Sequence, residues 1–239
     1  MKIITSLIYY SLILLFTLLF SDLCAQKYSH SKKQNNFQLK LMGIYGFGTQ
    51  TFDLQNPYHP TTDKFSPGGG FGPELGIVMV LSDYLSGDIS ASYLMTSKTM
   101  SENVNGTDSD TKVSFDRQEV RATLKYCIPY SSERELNRTI NLGFGAGYYL
   151  SGDLKLKYDY GNLSYRSTVE YDNSLAFHGM AEFECQFNKT IGILGCIRYR
   201  PFDFNATGYS MGTLDDLPAT YEIINSSGLD FMFGILLYL

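Results

Sequence analysis

One histidine of the sequence, His178, lies in a segment where polar and apolar residues alternate, and Glu182 and Glu184 follow it. In an extended strand, residues two or four positions apart share a face, so these three side chains are predicted to point the same way. A histidine beside carboxylates can act as a general base, but it also needs a nucleophile and access to a substrate. No such partner is evident, so the sequence predicts a buried histidine bonded to a carboxylate. No catalytic residue, cofactor or metal site is expected, and the Asp215-Asp216 pair alone offers too few oxygen ligands for calcium.

A larger set of charged residues shares one face of the alternating segments. It contains six acids and five bases, so its charges nearly cancel. Charges without partners are costly inside a protein, so this face must be wet or its charges must pair. Together with His178 the set forms the predicted internal charge network: Lys40, Glu74, Asp88, Glu119, Arg121, Lys125, Glu182, Glu184, Arg198, Arg200 and Asp230.

The segments that carry these residues are predicted to be eight long β-strands. The last segment shows the pattern: one face of residues 229–239 is wholly apolar, and the other is mixed. Short connections near residues 82–84, 128–137 and 188–189 alternate with polar stretches predicted to be surface loops, at 50–67, 99–113, 155–172 and 203–225. Alternating short and long connections indicate antiparallel, up-and-down strands.

The N-terminus is predicted to be a targeting segment. A basic Lys2, an apolar run from Leu7 to Phe20 and a small residue at Ala25 are typical of a signal peptide over residues 1–25. A short polar segment, 26–36, and one domain, 37–239, would follow. The net charge of −5 and the lack of a basic patch argue against nucleic acid as a partner. Cys127, Cys185 and Cys196 are predicted to be free.

The apolar faces are predicted to contact lipid. The strands are about 10–14 residues long, which suits a tilted transmembrane strand better than an average soluble one. Lipid requires a closed barrel with apolar residues outside and polar residues inside. Aromatic residues near the strand ends, such as Tyr84, Tyr148 and Tyr199, fit an interfacial girdle. The alternative is a secreted sheet whose charged face is wet.

The pattern of residues 37–239 resembles the small eight-stranded outer-membrane barrels of the OmpA/OmpX type, particularly those of Bacteroidetes, including the PorT-like proteins. The resemblance implies an all-β, eight-stranded antiparallel up-and-down transmembrane β-barrel in the cell outer membrane of a Gram-negative bacterium. In that family the last strand is read by the outer-membrane insertion machinery. The residues that fit this signal here are Phe231, Phe233, Ile235 and Leu237. Leu239 completes the strand face, at a position where the family usually has an aromatic residue.

The expected function is a structural or interaction role in the cell envelope, without enzymatic activity. The charge network would close the lumen, outer-membrane lipid would surround the barrel, and surface loops could contact an unknown protein partner. The apolar residues of the last loop, including Phe202, Phe204 and Tyr221, either form such a contact or fold back over the barrel mouth. A porin-like narrow channel for ions or small solutes is the alternative, and a lipid-modifying envelope enzyme ranks below it.

Overall fold

The structure is a computed structural model that describes residues 37–55, 62–104, 106–129, 137–211 and 217–239. The predicted signal peptide and the polar segment 26–36 lie outside the described residues. Thirteen strands are present in the described part of the chain. Their bounds are β1 (Phe37–Gly48), β2 (Phe52–Gln55), β3 (Thr62–Phe65), β4 (Gly70–Ser82), β5 (Leu85–Val104), β6 (Thr107–Pro129), β7 (Asn137–Tyr160), β8 (Leu163–Tyr171), β9 (Ser174–Gln186), β10 (Ile191–Arg200), β11 (Asp203–Tyr209), β12 (Ile223–Asn225) and β13 (Gly228–Tyr238). A 3₁₀ turn covers Ala219–Tyr221.

Eight of these strands form a closed antiparallel ring in the order β1-β4-β5-β6-β7-β9-β10-β13. The ring closes where β1 pairs with β13, from Gln38 opposite Tyr238 to Gly48 opposite Gly228. Closure leaves no unpaired strand edge within the ring, which is the condition for a sheet to stand in hydrocarbon. The predicted eight-stranded up-and-down barrel is confirmed.

Both termini of the barrel and its short connections lie at one end, and the long connections lie at the other. In transmembrane barrels the short turns face the periplasm and the long connections face outward, so we call the two ends periplasmic and extracellular. Two stretches predicted to be loops, 99–113 and 155–172, are largely strand. β5, β6 and β7 are 20, 23 and 24 residues long and continue beyond the ring. The loop prediction was wrong because it rested on the polar composition of these stretches, although buried and exposed residues continue to alternate through them.

The extracellular extension continues the sheet of the ring through β7. β8 pairs with β7, β11 pairs with β8, and β12 pairs with β11. The predicted loops 50–67 and 203–225 also contain strands, β2 and β3 in the first and β11 and β12 in the second. We call these parts beyond the ring the extracellular head.

The outer surface of the ring is apolar, as the alternation predicts. Large apolar side chains are exposed around it, including those of Leu75, Ile89, Leu124, Phe144, Phe177, Ile197 and Phe233. Tyr148 and Tyr199 are exposed at the extracellular end of the ring, where β7 stops pairing with β9 and β10 ends. Tyr84 stacks on Tyr126 at the periplasmic end, with ring centroids 6.4 Å apart. Among the described residues, no helix is long and apolar enough to cross a membrane.

Candidate functional site

The barrel interior contains ten charged side chains joined in one unbroken sequence of ion pairs. Acids and bases alternate strictly along it, and each side chain is at most 2% exposed. The order is Glu182, Lys125, Asp88, Lys40, Glu74, Arg121, Glu119, Arg198, Asp230 and Arg200. We call this set the ion-pair chain. Seven of the eight ring strands contribute to it, so it ties nearly the whole wall together across the lumen.

The periplasmic half of the ion-pair chain is built on two lysines. Lys125 Nζ lies 2.9 Å from Glu182 Oε1 and 3.4 Å from Asp88 Oδ2. Lys40 Nζ pairs with the same Asp88 oxygen and lies 3.0 Å from Glu74 Oε1. Each ammonium group therefore bridges two carboxylates from different strands, and Asp88 is shared between both lysines.

The extracellular half is built on three arginines. Arg121 pairs with Glu74 and donates to Glu119 Oε1 at 2.7 Å. Arg198 Nη2 lies 2.6 Å from the same Glu119 oxygen and 2.7 Å from Asp230 Oδ2. Arg200 is the last member of the ion-pair chain, and its Nε and Nη2 donate to the two oxygens of Asp230, at 2.8 and 2.9 Å. Such forked contacts fix geometry as well as charge.

Two members of the predicted network are buried or half-buried in the lumen but stand outside the ion-pair chain. His178 was expected to bond a carboxylate, but its Nε2 lies 2.8 Å from the hydroxyl of Thr123. Glu184 accepts a hydrogen bond from the phenol of Tyr238 at 2.5 Å and forms no ion pair in the described part of the chain. The prediction for His178 was wrong because alternation fixes the face of a side chain and not its partner across the lumen.

One buried cation, Arg117, was not predicted from the sequence. It precedes Glu119 and Arg121 at the same spacing on β6, so continuing the alternation by one step would have found it. Arg117 Nη1 donates to the carbonyl oxygens of Pro67 and Gly69, at 2.6 and 3.3 Å, and Nη2 to that of Gly68 at 3.4 Å. With Arg117, six cations face the six predicted acids, so the interior is balanced in formal charge.

The remaining ring strand, β7, supplies space for the crowded interior. An added Cβ at Gly145 would lie 2.1 Å from the carbonyl oxygen of Ala122 and 2.9 Å from the ring of His178. An added Cβ at Gly143 would lie 2.7 Å from the side chain of Met180. Because these glycines have no side chain, Met180 and His178 of the neighbouring β9 can pack over β7. Side chains therefore fill the interior, as expected of an eight-stranded ring.

Apolar side chains surround and cover the charges. Within the lumen, between the levels of Lys40 and Asp230, Met42, Ile44, Leu194 and Met232 belong to an inner apolar cluster. In the head, a second cluster covers the extracellular mouth, and we call it the cap: Leu54, Phe65, Val113, Phe115, Tyr149, Leu154, Leu156, Val169, Tyr171, Ala176, Phe202, Phe204, Leu217, Tyr221 and Ile224.

The cap decides between the two alternatives for the last loop. Phe202, Phe204 and Tyr221 are buried in it, so this part of the loop folds back over the mouth. The Tyr171 hydroxyl donates to the Tyr221 carbonyl oxygen at 2.9 Å, and burial raises the pKa of Tyr171. Met211 is exposed, and Leu214 lies outside the described residues.

The other predicted residues have clear positions. Phe231, Phe233 and Ile235 face outward on β13, Leu237 is half-buried there, and Leu239 follows the strand with its amide donating to the Phe37 carbonyl oxygen at 3.1 Å. Cys127, Cys185 and Cys196 are free, as predicted. Within the described ranges, no group of three or more His, Cys, Asp or Glu residues is arranged to hold a metal ion.

Comparison with known proteins gives the fold and no more. No protein-family model matches the chain, and no curated protein matches its sequence. Among solved structures, the outer membrane protein OprG from Pseudomonas aeruginosa is similar over 86% of this chain and 96% of its own, with 11% identity and a TM-score of 0.51. AlkL, an outer membrane protein solved in lipid bilayers, matches over 89% and 93%, with 16% identity and a TM-score of 0.48. Neisserial surface protein A matches over 87% and 100%, with 9% identity and a TM-score of 0.44. The chain has the fold of the small outer-membrane β-barrels, and the outer membrane is the location to which that fold belongs.

Proposed function

We propose that this protein is an integral outer-membrane barrel with a closed lumen, which acts in the cell envelope through its presence and its extracellular head. The observation that carries the proposal is the ion-pair chain. Ten side chains that could have lined an aqueous pore are instead paired with one another and withdrawn from solvent. We also propose that it belongs among the OmpA/OmpX-like or PorT-like barrels, because it shares their eight-stranded up-and-down architecture.

The charge pattern supports closure over conduction. A channel that conducts needs side chains that contact passing water and ions, with binding weak enough for release. Here each cation of the ion-pair chain touches at least one carboxylate at 3.0 Å or less, so every charge of the chain is paired with an opposite one. The balance of six acids and six cations among the described residues also leaves no net formal charge to favour one ion sign.

The head supports a role in contact with a partner outside the cell. It has an apolar core of its own, the cap, so it presents a defined surface. Leu163, Tyr165, Met211 and Ile223 are exposed on the head, away from the ring strands. Aromatic and methionine side chains are enriched in protein interfaces, so a protein partner of these side chains is part of the proposal.

Two further expectations belong to this proposal. The outward-facing Phe231, Phe233 and Ile235 of the last strand, with Leu237 and Leu239, would be read by the outer-membrane insertion machinery. The protein would also work without catalysis, because His178 and the Thr123 hydroxyl that it contacts are both buried in the filled lumen, where no substrate can reach them.

Influx of a small sugar into liposomes that contain the refolded protein tests closure. Folding is checked first by the shift in gel mobility between heated and unheated samples. A folded barrel that admits sugar no faster than empty liposomes supports the proposal, whereas rapid influx makes the protein a channel.

A further inference from the structure

The extracellular mouth of the barrel contains a short turn that reaches into the lumen, Pro67–Gly69, just before β4. Its three carbonyl oxygens accept hydrogen bonds from Arg117 of β6. Arg200 of β10 donates to the Gly68 oxygen at 2.7 Å and to the Ser226 oxygen at 2.6 Å. Two buried guanidinium groups, from β6 and β10, therefore donate hydrogen bonds to the same turn.

The turn also packs against the ends of β1, which pairs with β4, and of β13, which pairs with β1. An added Cβ at Gly68 would lie 2.2 Å from the Ser227 carbonyl oxygen and 2.9 Å from Gly48 Cα. Gly48 ends β1, and Ser227 precedes β13. In the ring order β6 lies four places from β13, on the opposite wall, so the turn and Arg117 together cross the mouth.

Arg117 differs electrostatically from Arg200, the other arginine that binds the turn. Asp230 neutralises Arg200, whereas Arg117 forms no ion pair among the residues that the structure describes. The buried charge of Arg117 is stabilised by the carbonyl dipoles of the turn and by Ser226 Oγ, 3.4 Å from Nη1. Because a buried charge needs such partners, the turn and Arg117 hold each other in place.

We infer that the Pro67–Gly69 turn is a stopper in the extracellular mouth, and that Arg117 is the side chain that fastens it. The inference rests on the proposed closed lumen and names the element that closes its outer end. The ion-pair chain lies below the stopper and the cap lies above it, so the stopper is a separate barrier that can be released without breaking the ring.

The test uses the full chain refolded in lipid and two variants, Gly68→Ala and Arg117→Gln. The added methyl group of Gly68→Ala should expel the turn while both arginines remain, and Arg117→Gln should loosen it. Amide hydrogen exchange at residues 66–70 should rise about tenfold or more in both variants, because the turn is released. Gly179→Ala is the matched control, because a Cβ there would meet no atom within 4 Å.

A second readout separates the stopper from the cap. Phenylglyoxal modifies accessible arginines, and mass spectrometry locates the products. Exposed Arg166 should react in every variant. Arg117 should stay protected in the unaltered protein and in Phe204→Ala, which opens only the cap, and should react in the double variant Gly68→Ala/Phe204→Ala, in which both barriers are opened.

Three results would overturn the inference: unchanged exchange at the turn in Arg117→Gln, protection of Arg117 in the double variant Gly68→Ala/Phe204→Ala, or reaction of Arg117 while the turn is unaltered, in the original protein or in Phe204→Ala. If Gly68→Ala does not fold, exchange in Arg117→Gln decides. Sugar influx through the unaltered protein would contradict the closed lumen instead, so the two failures can be told apart.

Discussion

Arg198 and Asp230 lie directly opposite each other on β10 and β13, and two nitrogens of the guanidinium group, Nε and Nη2, donate to one carboxylate oxygen at 3.0 and 2.7 Å. Both side chains are completely buried. The same Arg198 also contacts Glu119 on the far wall. The pair therefore fixes the strand register locally and joins opposite walls of the barrel.

Replacement of Arg198 by Ala should destabilise the barrel strongly. It leaves Glu119 and Asp230 with one cation fewer in a buried site, and breaking a buried pair in this way costs about 3–5 kcal/mol. Urea unfolding in lipid, followed by gel mobility, measures the change in free energy. Arg166→Ala, at an exposed arginine of β8, should change it by less than about 0.5 kcal/mol. Equal effects of the two substitutions would mean that the buried pair has no special role.

A lysine on the outer surface should show which medium surrounds the barrel. Leu124 is 54% exposed, so in water Leu124→Lys would be nearly neutral. In a bilayer a lysine near the midplane costs about 2–4 kcal/mol. Unfolding of the variant in lipid vesicles measures the cost. Ile223→Lys in the head, 60% exposed, is the control and should be neutral; equal, small effects at both positions would contradict a lipid-facing surface.

Gly145→Ala should impair folding because the wall of β7 has no room for a methyl group. The nearest atom to the added Cβ is the backbone carbonyl oxygen of Ala122, at 2.1 Å, and a backbone atom cannot move aside as a flexible side chain can. Overpacking of this kind costs about 1–3 kcal/mol. The yield of the heat-modifiable form should fall, whereas Gly195→Ala, with no atom within 4 Å of its added Cβ, should fold normally.

Phe204→Ala should loosen the head and spare the ring. The Phe204 ring is fully buried, with its centroid 5.8 Å from that of Phe115 and 5.1 Å from that of Phe202. Truncating a buried Phe costs about 3–5 kcal/mol of folding free energy. Here the substitution should destabilise the cap, because Phe204 packs within it. Trypsin should cleave the β7–β8 hairpin faster, while the heat-modifiable form persists. Met211→Ala, at an exposed head residue, should leave cleavage unchanged, and the same result for Phe204→Ala would argue against a packed cap.

The sequence allows the ring to be predicted because lipid and a filled lumen impose opposite demands on successive residues. The outward positions of Leu75, Ile89 and Phe233 follow from period-two alternation alone. The extension of β5 to β7 was missed because its outer face is polar, although Val113 and Phe115 continue the pattern inward.

The ion-pair and hydrogen-bond partners of the lumen side chains were harder to predict than whether each side chain faces inward or outward. Alternation places Glu182 inside but does not reveal that Lys125 from β6, two places away in the ring, is its cation. The Thr123–His178 contact depends in the same way on the relative height of two strands that are not neighbours in the ring. Such heights follow from the shear of the closed barrel, which no single segment of sequence encodes.

Single-channel conductance of the refolded protein in a planar bilayer tests the central claim most directly, with Arg198→Ala and Glu182→Ala recorded beside it. The folded barrel should give no stable conductance steps, because the ion-pair chain fills the lumen. Stable, reproducible steps from the unaltered protein, changed in size by either substitution, would contradict that claim and show that the charged interior conducts.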